Sequence, residues 1–207
     1  MSEEESAVQK VKAFYSERPL KTYEKGSIIV FPNEEQLPPI TYIENGLIGQ
    51  YDITTDGNKA VVNIFKPGAF FPASSAVNRS FNSYYFEALT DVSVRQSSPE
   101  LVDAFLRENP YVVYDLLQRL YKGVDGVLKR MFLLLGETAN ARVLYELFMY
   151  ADRFGRKQPN GSIIVDVTAN GLAQQTGLAR ETVSRELKKL KATGILIVGR
   201  GHITLIK

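Results

Sequence analysis

The chain has 207 residues, 44% hydrophobic and 23% charged, an ordinary globular composition with room for one large or two small domains. It has no cysteine and one histidine, His202, which excludes disulfides, thiolate zinc sites and cysteine-ligated iron–sulfur clusters and argues against a His-based metal site or a Ser/His/Asp triad. The net charge of +2 is split: residues 1–136 carry 14 Lys+Arg against 17 Asp+Glu and residues 137–207 carry 11 against 6, so a polyanionic partner fits the C-terminal part alone, although a surplus this small also suits a plain solvated face.

In chain order, the acidic start Met1-Ser-Glu-Glu-Glu-Ser6 is unlike a signal peptide, and no run reaches the ~18 apolar residues of a membrane span. The expectation is a cytoplasmic chain with no membrane partner. A helix is predicted around Ser6–Ser16. Residues 20 to about 98 read as β: Ser27–Phe31, Ile40–Ile43, Leu47–Ile53, Ala60–Phe65, Tyr84–Ala88 and Val92–Val94 are short runs of β-branched and aromatic residues. Turn signals separate them, among them Asn45-Gly46, Lys66-Pro67-Gly68 and Asp56-Gly57-Asn58, the last a hairpin signal between two alternating runs. Strands this short and evenly spaced predict a jelly-roll-like barrel.

From Pro110 the period changes. Val113, Leu117, Leu120, Val124, Val127, Met131 and Leu134 are spaced alternately by four and three, a heptad seam over about three heptads. Pro99-Glu100 opens a short helix before it, and Asn109-Pro110 opens the long one. A stripe of this kind also suits a helix packed on its own barrel. Yet Val112, Leu116, Leu128, Phe132 and Leu135 widen the apolar surface, enough for one stripe on the barrel and a seam for a second copy. Gly123 and Gly126 sit within this helix at a cost of roughly 1 kcal/mol each against Ala. After Leu135–Thr138, Thr138 caps a helix running to about Arg153, with Val143, Leu144, Leu147, Phe148 and Ala151 on one face. A turn-rich loop and a short strand, Ile163–Val165, follow.

Residues 168–190 have the pattern of a helix-turn-helix. Thr168 suits an N-cap, Leu172 the core, Ala173 a close helix crossing, Gly177 the turn and Leu178 the corner. Val183, Leu187 and Leu190 form a buried stripe, leaving Arg180, Glu181, Ser184, Arg185 and Lys188 outside. An Arg can bridge guanine O6 and N7, and a Glu can accept from cytosine N4. Arg180, Glu181, Ser184 and Arg185 lie in the first two turns, the part of such a helix that meets base edges in the major groove of double-stranded DNA. Thr168, Thr182, Lys188, Lys189 and Lys191 suit phosphate contacts. The plainer alternative is a solvated helix laced with pairs such as Glu181 with Arg185. Two strands after the helix, Ile195–Val198 and Ile203–Ile206, form a wing with Arg200 at its tip, also placed to touch phosphate, and His202 beside it reads as solvent-facing.

Over essentially its whole length the sequence resembles the CRP/FNR superfamily of bacterial transcription regulators, most specifically at Leu178-Ala-Arg-Glu-Thr-Val-Ser-Arg-Glu-Leu187 with Leu190 and Gly194-Ile-Leu196. The resemblance implies an α+β fold: an N-terminal cyclic-nucleotide-binding-like β jelly roll as sensor (1–109), a long dimerisation helix (110–136) and a C-terminal winged helix-turn-helix (137–207). It implies a homodimer on a palindromic operator, contacts with RNA polymerase, base reading by Arg180, Glu181 and Arg185, and half-sites of the TGTGA or TTGA kind. Ala179 departs from the pattern, since a Ser or Thr commonly caps the recognition helix there, at a cost of about 1 kcal/mol.

The sensor departs further. The Gly-Glu-Leu segment that holds the ribose in cyclic-nucleotide members is Pro72-Ala73-Ser74 here, Asn82-Ser83 stands where their phosphate-binding Arg is expected, and Val127-Leu128 replaces a Thr/Ser pair. A phosphate buried without a cation is costly, so cyclic AMP is not expected, and neither is an iron–sulfur cluster or haem. No cofactor is expected. Phe65, Phe70, Phe71, Tyr84, Tyr85 and Phe86 read mainly as barrel core. Phe70, Phe71, Ser74, Asn82, Ser83 and Tyr85 are the candidate lining of a pocket for an unidentified organic effector. Two rival readings stand beside the regulator. A metal-binding barrel enzyme would need histidines that this barrel lacks, so no enzyme is expected. The other rival is an effector-independent dimeric DNA-binding or interaction module.

Overall fold

The structure is a computed structural model and describes residues 3–206; the first two residues of the acidic start and Lys207 lie outside them. Packing divides the chain inside its long helix, into residues 1–123 and 124–207, and each unit is taken by itself.

The first unit begins with α1 (Glu3–Ser16) and continues through β1 (Leu20–Tyr23), β2 (Ile28–Val30), β3 (Ile40–Asn45), β4 (Ile48–Ile53), β5 (Lys59–Phe65), β6 (Phe70–Phe71), α2 (Ala73–Val77), β7 (Tyr85–Ala88), β8 (Val92–Ser97) and α3 (Pro99–Glu108). It ends in the first half of α4 (Pro110–Gly136). Two four-stranded antiparallel sheets, ordered β1-β8-β3-β6 and β2-β7-β4-β5, form the predicted jelly roll. Val30, Ile43, Ile48, Phe71, Phe86, Ala88, Val92 and Val94 make one core cluster. A second joins Ala7, Val11 and Tyr15 of α1 to Ile40 and Tyr42 of β3, Ala76 of α2, Val102 and Leu106 of α3, and Val112 of α4.

β3 shows why one strand serves both. Successive side chains leave a strand on opposite faces, so Ile43 enters the first cluster while Ile40 and Tyr42 enter the second, and Ile40–Ile43 are all buried. Asp56-Gly57 makes the predicted hairpin, with Thr54 N–H donating to Asn58 C=O at 2.9 Å and Gly57 N–H to Thr54 C=O at 2.9 Å. Gly46 is required where it stands: its φ is +89°, and a Cβ there would strike the Asp91 carbonyl. Three short elements were not predicted. β6 has two residues, α2 has five and no side-chain cap, and β1 is mostly solvent-exposed, so none carries a hydrophobic period.

The second unit holds the rest of α4, α5 (Ala139–Phe154), β9 (Arg156–Lys157), β10 (Ile163–Val165), α6 (Ala169–Thr176), α7 (Arg180–Ala192), β11 (Leu196–Val198) and β12 (Ile203–Leu205). The predicted wing pairs onward to β10 and β9, giving a four-stranded antiparallel sheet ordered β11-β12-β10-β9. Thr138 caps α5 as expected, its Oγ1 accepting from Ala141 N–H at 3.3 Å. The buried face of α5 is rotated from the expected one. Val143, Leu147, Tyr150 and Ala151 are inside, Leu144 is half-buried and Phe148 is exposed. Glu146 takes a buried place because Arg130 of α4 grips both its carboxylate oxygens, at 2.5 and 3.0 Å. Arg142 then closes the end of α4, donating to the carbonyls of Leu133 at 3.2 Å and Leu134 at 2.8 Å. Among the described residues no helix is long and apolar enough to cross a membrane.

Candidate nucleic-acid interface

The site is α6, its turn and α7. Thr168 Oγ1 accepts from Gly171 N–H at 3.1 Å and starts α6. Gly177 ends it in the left-handed region, φ +65°, with its N–H on the Ala173 carbonyl at 3.0 Å. Thr176 is buried and turns its hydroxyl back to Leu172 C=O at 2.7 Å, so that hydroxyl is not stranded at the crossing. Leu178 is half-buried at the corner. Ala179 holds the N-cap position with φ −61° and ψ 143°, and no side chain caps the helix, as its identity predicts.

On α7, which packs on α5 and α6, Val183, Leu187 and Leu190 are buried, at 0%, 3% and 4% exposure, as are Leu172 and Ala173 of α6. The opposite face presents Arg180, Glu181, Arg185 and Lys188 to solvent, with Ser184 and Thr182 half-buried. The predicted separation of a core stripe from a polar, solvent-facing side of the helix is therefore observed. Glu181 and Arg185 do not form the ion pair of the plainer alternative. Arg185 turns instead toward Thr182 Oγ1, at 3.5 Å, and lies 4.0 Å from the Glu186 carboxylate. Arg180, Lys188, Lys191 and Arg200 are exposed and make no ion pair among the described residues. Lys189 differs, because its ammonium lies 2.8 Å from the Glu186 carboxylate. Thr168 is exposed, with its hydroxyl already engaged by the cap. Arg200 stands at the wing turn, where Gly201 has φ +81°. His202 is half-buried rather than solvent-facing, its ring lying where a Cβ on Gly199 would be.

Glu186 is the residue the sequence reading missed. It is 4% exposed, and its carboxyl is held below the usual carboxylate range by hydrogen bonds from Lys189 and from Asn140 at the start of α5.

The seven seam residues of α4 are all solvent-facing in the single subunit: Val113 43%, Leu117 44%, Leu120 60%, Val124 42%, Val127 53%, Met131 52% and Leu134 51% exposed. Of the widening positions, Val112 is buried and Leu116 half-buried, but Leu128, Phe132 and Leu135 are exposed, so a second packed stripe exists only near the start of the helix.

The candidate effector residues are not brought together. Phe70 and Phe71 are adjacent on β6 and so point to opposite faces, Phe71 into the first core cluster and Phe70 against the second. Phe71 stacks on Phe86 at 4.5 Å and on Phe65 at 5.3 Å, and Tyr85 stacks on Tyr51 at 5.1 Å. Ser74 and Ser83 are exposed. Asn82 is buried, and its amide is used by backbone: Nδ2 donates to Phe31 C=O at 2.9 Å and to Tyr84 C=O, while Oδ1 accepts from Tyr84 N–H at 3.1 Å.

Comparison with known proteins places this geometry. Residues 20–109 match the cyclic nucleotide-binding domain and residues 141–207 the Crp-like helix-turn-helix domain. The chain is 25% identical over 186 residues to the transcriptional regulator SdrP of Thermus thermophilus, covering 89% of this chain and 88% of that one. It is 23% identical over 208 residues to the transcriptional activator FnrL of Cereibacter sphaeroides, covering 98% and 80%. Among solved structures it is similar to the c-di-GMP-responsive global regulator CLP of Xanthomonas campestris, with TM-score 0.81, 19% identity and coverage of 96% and 99%. With the cyclic nucleotide-binding domain followed by the Crp-like helix-turn-helix domain, and relatives of this kind over most of its length, the chain belongs to the CRP/FNR family of DNA-binding transcription regulators.

Proposed function

We propose that this regulator works as a homodimer that reads a palindromic operator with the exposed face of α7. The observation that carries the proposal is the placing of Arg180, Glu181 and Arg185 in the first two turns of α7, opposite the buried Val183, Leu187 and Leu190. Arg185 and Arg180 pair with guanines, Glu181 accepts from a cytosine amino group, and the half-site is of the TGTGA or TTGA kind. Lys188, Lys191 and Arg200 meet phosphate. The dimer is supported by a heptad seam left open to solvent along α4, which a second copy would cover. Membership of the family supports, as parts of the same proposal, contact with RNA polymerase and a cytoplasmic location.

The barrel signal in this proposal is neither cyclic AMP nor an iron–sulfur cluster nor haem. No Arg stands at Asn82-Ser83 and the Asn82 amide is already consumed by backbone, so neither residue neutralises a phosphate; the nearby Arg79 lies in an exposed loop. A second reading, a regulator that needs no barrel ligand, is favoured by one observation: Phe71 stacks on both Phe65 and Phe86, filling the core with aromatic rings. Gel shift of promoter fragments across a salt series tests the main reading. Specific retention that weakens steeply as salt rises supports it, and no retention at low salt contradicts it. Cyclic AMP is expected to leave both retention and melting temperature unchanged.

A further inference from the structure

Glu186 is a buried acid set into a helix that must approach a polyanion. Its Oε2 accepts from Asn140 Nδ2 at 3.2 Å and its Oε1 from Lys189 Nζ at 2.8 Å, and Arg185 Nε lies 4.0 Å from Oε1. Glu186 itself is almost fully enclosed, whereas the side chains of Arg185 and Lys189 are 65% and 61% exposed. The carboxylate is thus fixed from behind by α5 and holds a lysine that would otherwise be free to meet phosphate. An ammonium already paired to a fixed carboxylate displaces no counterion from DNA unless that pair is broken, and breaking it strands a buried charge. Lys188 and Lys191, one position to the left of Lys189 and two to its right, have no such partner among the described residues.

We infer that Glu186 is a specificity-setting residue of the DNA interface: anchored by Asn140, it holds Lys189 away from the phosphate backbone and so lowers sequence-independent binding relative to base reading by Arg180 and Arg185. The inference rests on the reading of α7 as the DNA-reading helix. It makes Glu186 a positioning residue, acting through Lys189 rather than by touching DNA.

The test uses the full chain and a duplex of alternating A·T base pairs, which offers no guanine to the arginines. Affinity is measured by fluorescence anisotropy between 50 and 200 mM salt. Glu186→Gln keeps an acceptor for Asn140 and removes the charge. It is expected to steepen the salt dependence by about 0.9 per subunit and to raise affinity about eightfold per freed lysine near 0.1 M salt. In the double variant E186Q/K189A the gain is expected to vanish. K189A in the unaltered background is expected to keep the wild-type slope, and a fall of about 0.9 per subunit would mean that Lys189 already meets phosphate and would overturn the inference. An E186Q protein that binds more weakly with an unchanged slope would make Glu186 merely structural and overturn it equally. If the wild-type protein ignores this duplex even at 50 mM salt, the DNA reading itself fails. Wild-type binding with an unmoved E186Q slope sinks only the role of Glu186.

Discussion

Truncation of Leu120 to Ala separates a helix that joins two chains from one that merely displays apolar residues. Leu120 is 60% exposed in the single subunit, between Leu117 and Val124, which are 44% and 42% exposed. Burying a whole leucine side chain is worth about 1.5–3 kcal/mol, so covering the exposed part of this one and then removing most of its carbons loses about 1 kcal/mol per copy. A symmetric dimer carries two copies, giving about 2 kcal/mol, or roughly a thirtyfold rise in the dimer dissociation constant. The helix itself should not suffer, because Ala is the better helix former and Leu120 is mostly solvent-facing within its own subunit. Sedimentation equilibrium on the wild-type and L120A proteins reads the dissociation constant, and circular dichroism checks the helix content. A wild-type protein that sediments as a monomer at micromolar concentration would refute the dimer seam, and so would an L120A dissociation constant equal to the wild-type one.

Three further outcomes follow from particular contacts. Ala179→Ser adds a hydroxyl at an N-cap whose backbone is already extended, and is expected to stabilise the protein by about 1 kcal/mol, read as a melting temperature a few degrees higher, without loss of DNA binding. Asn82→Ala strips the partners from the Phe31 and Tyr84 backbone groups and is expected to cost about 2–3 kcal/mol in chemical denaturation; no loss would return Asn82 to the candidate effector residues. The Glu186 carboxyl titrates below its ordinary value of 4.5, so its stabilising contribution is complete above that pH and drains away as the pH falls through the lower folded value. The melting temperature of E186Q is therefore expected to fall less steeply than that of wild type below pH 4.5, and parallel curves would contradict the assignment.

The parts legible in the sequence were those whose physics is local. Short runs of β-branched and aromatic residues between turn signals located six of the eight barrel strands, and Thr138, Thr168 and Gly177 announced helix ends because caps and left-handed turns are made by the residues themselves. The parts that escaped depend on distant partners. β9 exists because β10 offers an edge to pair with, not because Arg156-Lys157 prefers a strand. Phe148 belongs to the apolar period of α5, yet it lies outside, while Glu146, paired with Arg130, takes a buried place that no apolar period announces. The aromatic run at Phe70-Phe71 suggested one pocket, but period-two geometry sends its two rings to different clusters. Glu186 reads as one more surface acid until Asn140, 46 residues away in sequence, is seen to hold it.

Selection of binding sites from a random duplex pool by the purified chain would decide whether α7 reads DNA as described. The expected result is an inverted repeat whose half-sites carry the G–A step of TGTGA or TTGA, with the guanine preference lost and the remaining positions kept when Arg185→Ala is used. A pool that returns no inverted repeat, or the same guanine with the R185A protein, would contradict the reading of α7 from its exposed arginines.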